Sequence, residues 1–307
     1  MRSILSVADL TRKEFIDVLE RASVLKEETK RGQWRGELEK KTVALLFQKP
    51  SLRTRVSFEQ CIRQLGGNSL YLSPAEVGLG EREAVQDVAR VLCRYVDCVV
   101  ARVKRHTDLQ KLAQYSSVPV INALSDLSHP CQAMADLLTI REKKDRFDGL
   151  VLSFIGDGNN VAHSLILASA KVGMHIRIAC PVGFEPNPDI IERSNADRAA
   201  TGATFTIVHS PQEAAAGADV LYTDVWASMG QEAEIDQRRR KFAGYKIDAD
   251  LLRLAKPDAV VMHDLPAHRG DEITDDVIDG PQSVVFDQAE NRLHAQKGLL
   301  SWLFETK

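Results

Sequence analysis

Apolar, β-branched runs alternate with amphipathic segments along the whole chain, and this pattern constrains the fold more than any other feature. TVALLFQ (42–48), VDCVVARV (96–103), VLSFIGD (151–157), HIRIACP (175–181), ADVLYTDV (218–225) and AVVMHDL (259–265) read as buried strands. Between them lie helical stretches such as LTRKEFIDVLERASVLKEE, where Thr11 and Glu14 stand in capping-box spacing. Buried strands separated by helices imply βαβ units and a parallel sheet covered on both faces. A charged stretch, REKKDRFDGL (141–150), parts two such series. The expected fold is α/β, with two doubly wound parallel-sheet domains and the active site in the cleft between them. The boundaries read as 1–144 and 145–288, with a terminal helix in 289–307 packing back on the first domain.

Composition narrows the function. The 307 residues include 40 Lys+Arg against 43 Asp+Glu, a net charge of -3. That balance leaves no electrostatic footprint for nucleic acid or a membrane surface, so any bound anion must be held by local arginines. Cys61, Cys93, Cys98, Cys131 and Cys180 form no CxxC pair and are odd in number, which argues against a disulfide framework and a zinc knuckle. With no signal-peptide pattern and no apolar stretch of membrane-spanning length, the sequence reads as cytoplasmic.

In open α/β sheets ligands bind beyond the carboxyl ends of strands, so the loops there carry the chemistry. KPSLRTRVSFEQ places Ser51, Leu52, Arg53, Thr54 and Arg55 after the first run, with a helix beginning near Val56. Hydroxyls, free N–H groups and guanidiniums at a helix start suit a phosphate-like anion, although the Walker A glycines are missing. Arg102 lies near the end of the second run. In LSHPCQAMADLL, His129 and Gln132 stand at a helix start and can face one ligand; a cap plus a packed histidine would look the same. GDGNN (156–160) suggests a dinucleotide turn but has Val161 at the third glycine position and no acid after the next strand, which argues against a nicotinamide enzyme. Its glycines suit a tight turn presenting Asn159 and Asn160. Asp224, Ser228 and Met229 follow a strand, and a cleft carboxylate there suits an ammonium ligand. The last such loop, HDLPAHRG (263–270), crowds His263, Asp264, His268 and Arg269 together, a pattern open to a metal site, an acid–base pair or a surface turn.

In order, SLRTR (51–55), Arg102, HPCQ (129–132), GDGNN (156–160), DxxxSMG (224–230), HDLPAHRG (263–270) and AENR (289–292) span nearly the whole chain. The set resembles the carbamoyltransferase family, and within it the members that act on ornithine. The resemblance implies carbamoyl transfer from carbamoyl phosphate to the δ-amine of ornithine, without metal or organic cofactor. It also implies a homotrimer with sites at subunit interfaces, where SPAEVGLGERE (73–83) reaches a neighbour. Ser51, Leu52, Arg53, Thr54, Arg102, His129, Gln132, Leu265 and Arg292 match carbamoyl phosphate contacts. Thr54, Arg102 and His129 among them match donors to the carbonyl oxygen, and Gln132 matches the partner of the carbamoyl NH2. Asn160, Asp224, Ser228 and Met229 match contacts to ornithine. Two positions depart from the family pattern: Leu52 replaces Thr, and Asp264 replaces the Cys of His-Cys-Leu-Pro. Asp264 then reads as counter-ion and base for the δ-ammonium, or as a cap for the following turn. The competing functions are a carbamoyltransferase for putrescine or N-acylated ornithine, and a non-catalytic protein that binds carbamoyl phosphate.

Overall fold

Two fully parallel sheets organise the computed structural model, which describes residues 2–227 and 235–305. The first contains β1 (Thr42–Phe47), β2 (Asn68–Leu72), β3 (Cys98–Arg102) and β4 (Val120–Leu124), in the order β2-β1-β3-β4. The second contains β5 (Val151–Ile155), β6 (His175–Ala179), β7 (Phe205–Val208), β8 (Val220–Thr223) and β9 (Val260–His263), in the order β7-β6-β5-β8-β9. The chain divides into a unit of Met1–Leu138 with Glu290–Lys307 and a unit of Thr139–Ala289.

Strand order determines where each sheet can bind a ligand. In the first, successive connections leave β1 in opposite directions, so the crevice opens between the carboxyl ends of β1 and β3. The residues there are the SLRTR segment and Arg102, and Phe47 pairs with Arg102 across the two strands. In the second, the direction reverses between β5 and β8, whose carboxyl ends carry GDGNN and Asp224.

Each strand expected from the sequence is present, slightly shorter than its apolar run. β2, β4 and β7 were not expected. β2 and β7 are edge strands; every residue of β2 and three of the four in β7 are exposed or partly exposed, so neither makes a continuous apolar run. Two helix limits also differ. The helix after β1 is Leu52–Gln64 and begins four residues before Val56, because Ser51 caps it by accepting a bond from the Thr54 N–H. The helix Pro130–Lys144 continues through the first part of the charged stretch, since Arg and Lys are good helix formers and suit a carboxyl-terminal turn. The terminal helix, Val285–Glu305, starts earlier than Ala289. No helix among the described residues is long and apolar enough to cross a membrane.

Candidate active site

In the first unit, the helix start at Leu52 sets the geometry. Ser51 Oγ donates to Thr54 Oγ1 at 3.0 Å, and the Leu52 side chain is exposed, leaving its backbone N–H as the group a ligand can use. Arg53 is half-buried. Thr54 is buried and accepts at Oγ1 from Arg292 Nη2 at 3.1 Å, while Arg292 Nη1 donates to Gln132 Oε1 at 2.7 Å. Gln132 in turn donates from Nε2 to Asp136 at 2.8 Å, which orients its amide. Thus SLRTR, HPCQ and AENR meet through direct side-chain bonds. Arg102 and His129 are buried in the same unit. Burial pushes the His129 pKa well below its ordinary value, and the positive charges of Arg292 and Arg102 push it the same way. At neutral pH this imidazole is uncharged among guanidiniums.

Arg292 is aimed by packing that the motifs do not reveal. Gly298 lets the terminal helix lie against the helix Arg12–Lys30: a Cβ there would stand 2.5 Å from the Val18 carbonyl oxygen. Lys26 donates to Asn291 Oδ1 at 2.8 Å. Lys297 donates to the Leu25 carbonyl, to Thr29 and to Gln64, tying the helix down on two sides. Arg55 is turned to a different use, pairing with Glu59 at 2.9 Å and stacking over Tyr71.

In the second unit, Gly158 permits the tight turn after β5; a Cβ would meet Pro186 N at 2.3 Å. Asn159 caps the helix Asn160–Val172 through its Oδ1 and donates from Nδ2 to Asp224 Oδ2 at 2.7 Å. Asn160, on the first turn, is buried. The buried Asp224 also accepts from the Val225 N–H at 2.7 Å. Its pKa is raised well above the ordinary carboxylate value, first by burial and then by the charge of Asp264. Ser228 and Met229 lie outside the described residues.

One donor atom each of Asp224, His263 and Asp264 lies within 4.8 Å of the others, a spacing that could hold a metal ion. The bonds of His263 point elsewhere. Its Nε2 is 3.0 Å from the buried Glu272 Oε1, and its Nδ1 accepts from the Leu265 N–H at 2.9 Å. Both ring nitrogens are therefore engaged, and this arrangement offers no imidazole lone pair to a metal. Burial alone would lower the His263 pKa, but hydrogen bonds with Asp264 and Glu272 and nearby carboxylate charge raise it to about 9. A second ring proton would require Nδ1 to give up the Leu265 N–H and turn to Asp264, 3.5 Å away. Leu265 itself holds a left-handed backbone, φ 58°. Glu272 also accepts from the His268 N–H at 2.6 Å, and Gln288 accepts from the His263 N–H at 2.9 Å. Sequence reading missed both residues, since a buried carboxylate supporting a histidine has no spacing rule of its own. Arg269 stands apart, paired with Asp275 and Asp279 on the surface.

Comparison with known proteins places this geometry among relatives. Residues 2–142 match the family model for the carbamoyl-P binding domain of aspartate/ornithine carbamoyltransferase, and residues 148–303 match the model for its Asp/Orn binding domain. The chain is 53% identical over 300 residues to ornithine carbamoyltransferase from Thermococcus kodakarensis, covering 98% of this chain and 95% of that one. It is 52% identical to the ornithine carbamoyltransferase of Pyrococcus furiosus described as anabolic, with coverage of 98% and 95%. Among solved structures, ornithine carbamoyltransferase from Pyrococcus furiosus superposes with a TM-score of 0.97 at 51% identity, covering 100% of this chain and 98% of that one. The anabolic enzyme from Campylobacter jejuni gives a TM-score of 0.94 at 37% identity, with each chain covered 100%.

Proposed function

The chain belongs to the aspartate/ornithine carbamoyltransferase family, and from that premise we propose that it transfers the carbamoyl group of carbamoyl phosphate to the δ-amine of L-ornithine, giving L-citrulline and phosphate. The product belongs to arginine metabolism. The observation that carries the reading is the buried bonding of Thr54, Arg292 and Gln132, which draws three separated motifs into one cationic pocket. Residues 1–144, with the terminal helix, take carbamoyl phosphate, and residues 145–288 take ornithine.

The reaction forms a C–N bond, breaks the C–O bond to phosphate and removes a proton from the amine. Ser51, Leu52 and Thr54, partly through N–H groups at a helix start, and Arg53 with Arg102 clamp the phosphate. Thr54, Arg102 and the neutral His129 donate to the carbonyl oxygen as it gains negative charge. A neutral imidazole keeps its Nε2 or Nδ1 proton available for this without adding a further buried charge. Gln132 binds the carbamoyl NH2, while Arg292 and the Leu265 backbone make further contacts to carbamoyl phosphate. Asn160, Asp224, Ser228 and Met229 hold the amino-acid end of ornithine.

Asp264 adds a carboxylate where the family pattern has a thiol. Ornithine arrives with its δ-ammonium near the ordinary amine pKa, about 10.4 by analogy with lysine. Asp264 pairs with that charge and then accepts the proton, which leaves the neutral amine to attack the carbonyl carbon. The active assembly is a homotrimer in which residues 73–83 reach a neighbour's site, and the enzyme works in the cytoplasm. Its free, mostly buried cysteines accord with a reducing compartment.

The test is citrulline formation by the purified protein from carbamoyl phosphate and ornithine, with putrescine and N-acetylornithine as competing acceptors. Turnover with ornithine at least a hundredfold above either competitor is expected. Turnover only with another amine would transfer the reading to that acceptor, and carbamoyl phosphate binding without turnover would make the protein a binding module.

A further inference from the structure

We propose that Arg238 is a positioning residue for ornithine, acting through Asp157 on the turn that carries Asn159 and Asn160. This rests on the function proposed above. Arg238 lies in the helix Ile235–Phe242 with its side chain almost wholly buried. Its Nη1 donates to Asp157 Oδ2 at 2.7 Å and to the Trp226 carbonyl oxygen at 2.9 Å. The guanidinium carbon stands 5.1 Å from the centre of the Phe184 ring.

These contacts join three loops that have no sequence proximity. Asp157 and Gly158 form the turn after β5, and the Gly158 N–H donates to the Phe184 carbonyl at 2.9 Å. Trp226 follows Asp224 by two residues in the loop after β8, and its ring stacks near Phe242 at 6.0 Å. One guanidinium thus holds the turn preceding Asn159 and the chain following Asp224. Those two residues are bonded directly, Asn159 Nδ2 to Asp224 Oδ2 at 2.7 Å. Asp157, Gly158 and Asn159 follow the carboxyl end of β5, and Asp224 and Trp226 follow that of β8, where the sheet order reverses.

A buried ion pair is a weak source of stability, because desolvation offsets most of its attraction. Its geometric consequence is larger: the two bonds from one Nη1, held in the guanidinium plane, fix the direction of two acceptors at once. Without the guanidinium, the partly buried Asp157 carboxylate loses this counter-charge and the turn moves toward water. Asn159 and Asn160 then lose their aim at the ornithine side. The carbamoyl phosphate residues named above, apart from Leu265, belong to the other unit and keep their bonds.

The experiment is steady-state kinetics on the parent, R238Q, R238K, D157N and the D157N/R238Q double variant. R238Q is expected to raise KM for ornithine at least tenfold, with KM for carbamoyl phosphate within twofold and kcat reduced less than threefold. R238K is expected to recover part of the loss. The double variant is expected to be no worse than R238Q, because it removes the carboxylate that the Arg238 guanidinium had balanced. An ornithine KM unchanged within twofold in R238Q, a parallel rise in both KM values, or multiplicative losses in the double variant would overturn the proposal. If R238Q does not fold, the near-isosteric D157N and the charge-preserving R238K carry the same comparison. A parent enzyme that makes no citrulline would count against the proposed function, whereas an active parent with unmoved variants counts against Arg238 alone.

Discussion

In the first unit, burial and then the Arg292 and Arg102 guanidiniums hold His129 neutral; in the second, burial and then the Asp264 carboxylate hold Asp224 toward its neutral form. Both clusters are buried, and burial penalises unbalanced charge. The first cluster retains the guanidinium charges of Arg102 and Arg292, opposite in sign to a phosphate, and the second retains the Asp264 carboxylate, opposite in sign to an ammonium. Perturbed titration in a buried cluster at a switch point is the pattern of a ligand-binding site in an open α/β sheet.

The comparison breaks most severely if the positive side is discharged. Arg102→Met is expected to lower kcat/KM roughly 10³-fold, the scale of losing a main donor to a developing oxyanion. Saturating ornithine should not restore the rate. A loss under tenfold in initial-rate assays would remove Arg102 from the chemistry.

On the negative side, Asp264→Asn is expected to lower kcat about 10²-fold near neutral pH, within the range for loss of a positioned base. Asp264→Cys should retain more activity and displace the acid limb of the pH–rate profile upward, because a thiol ionises at higher pH than a carboxyl. A profile superimposable on the parent's in both variants would assign Asp264 to capping the following turn.

A smaller effect tests how the positive pocket is organised. Arg292→Lys keeps the charge but cannot reach Thr54 and Gln132 together. KM for carbamoyl phosphate is expected to rise about tenfold, with KM for ornithine nearly unchanged, as read from crossed substrate titrations.

The smallest effect concerns the ligand-free protein, where the two clusters should give stability slopes of opposite sign. The depressed His129 pKa stabilises the fold above the unfolded value near 6.5, and that contribution is lost as pH falls below it. The raised Asp224 pKa acts the other way: its contribution is complete below the unfolded value near 3.8 and is lost as pH rises through the raised folded value. Denaturant titrations across pH should therefore show His129→Gln flattening the acid side and Asp224→Asn flattening the alkaline side. Unchanged slopes in both variants would show that neither group titrates between the folded and unfolded states.

Much of this was legible before any coordinates. The parallel α/β class followed from alternation, and SLRTR, Arg102, GDGNN and Asp224 do lie at the strand ends where the two sheets reverse direction. Position by position, the limits are instructive. β7 was missed because Phe205–Val208 is short and lies on an edge, so its alternation is too brief to stand out from a loop. The start at Leu52 was missed because the cap is a single bond from the Thr54 N–H to Ser51, and KPSL reads as loop until that bond is formed. Lys26, Lys297 and Gly298 looked like ordinary helical residues, yet they position Arg292. Glu272 looked like one surface acid among several, and it lies wholly buried against His263.

The sequence alone determined the layer architecture and the motif residues that follow the strand ends. These depend on local periodicity and residue type, which a linear chain displays openly. Only tertiary structure decided that Thr54, Gln132 and Arg292 bond to one another, that Arg55 and Arg269 are occupied elsewhere, and that His263 spends both ring nitrogens on Leu265 and Glu272. Those outcomes depend on distances between residues far apart in the chain, and on which polar groups lose water together. Spacing along a sequence carries neither quantity.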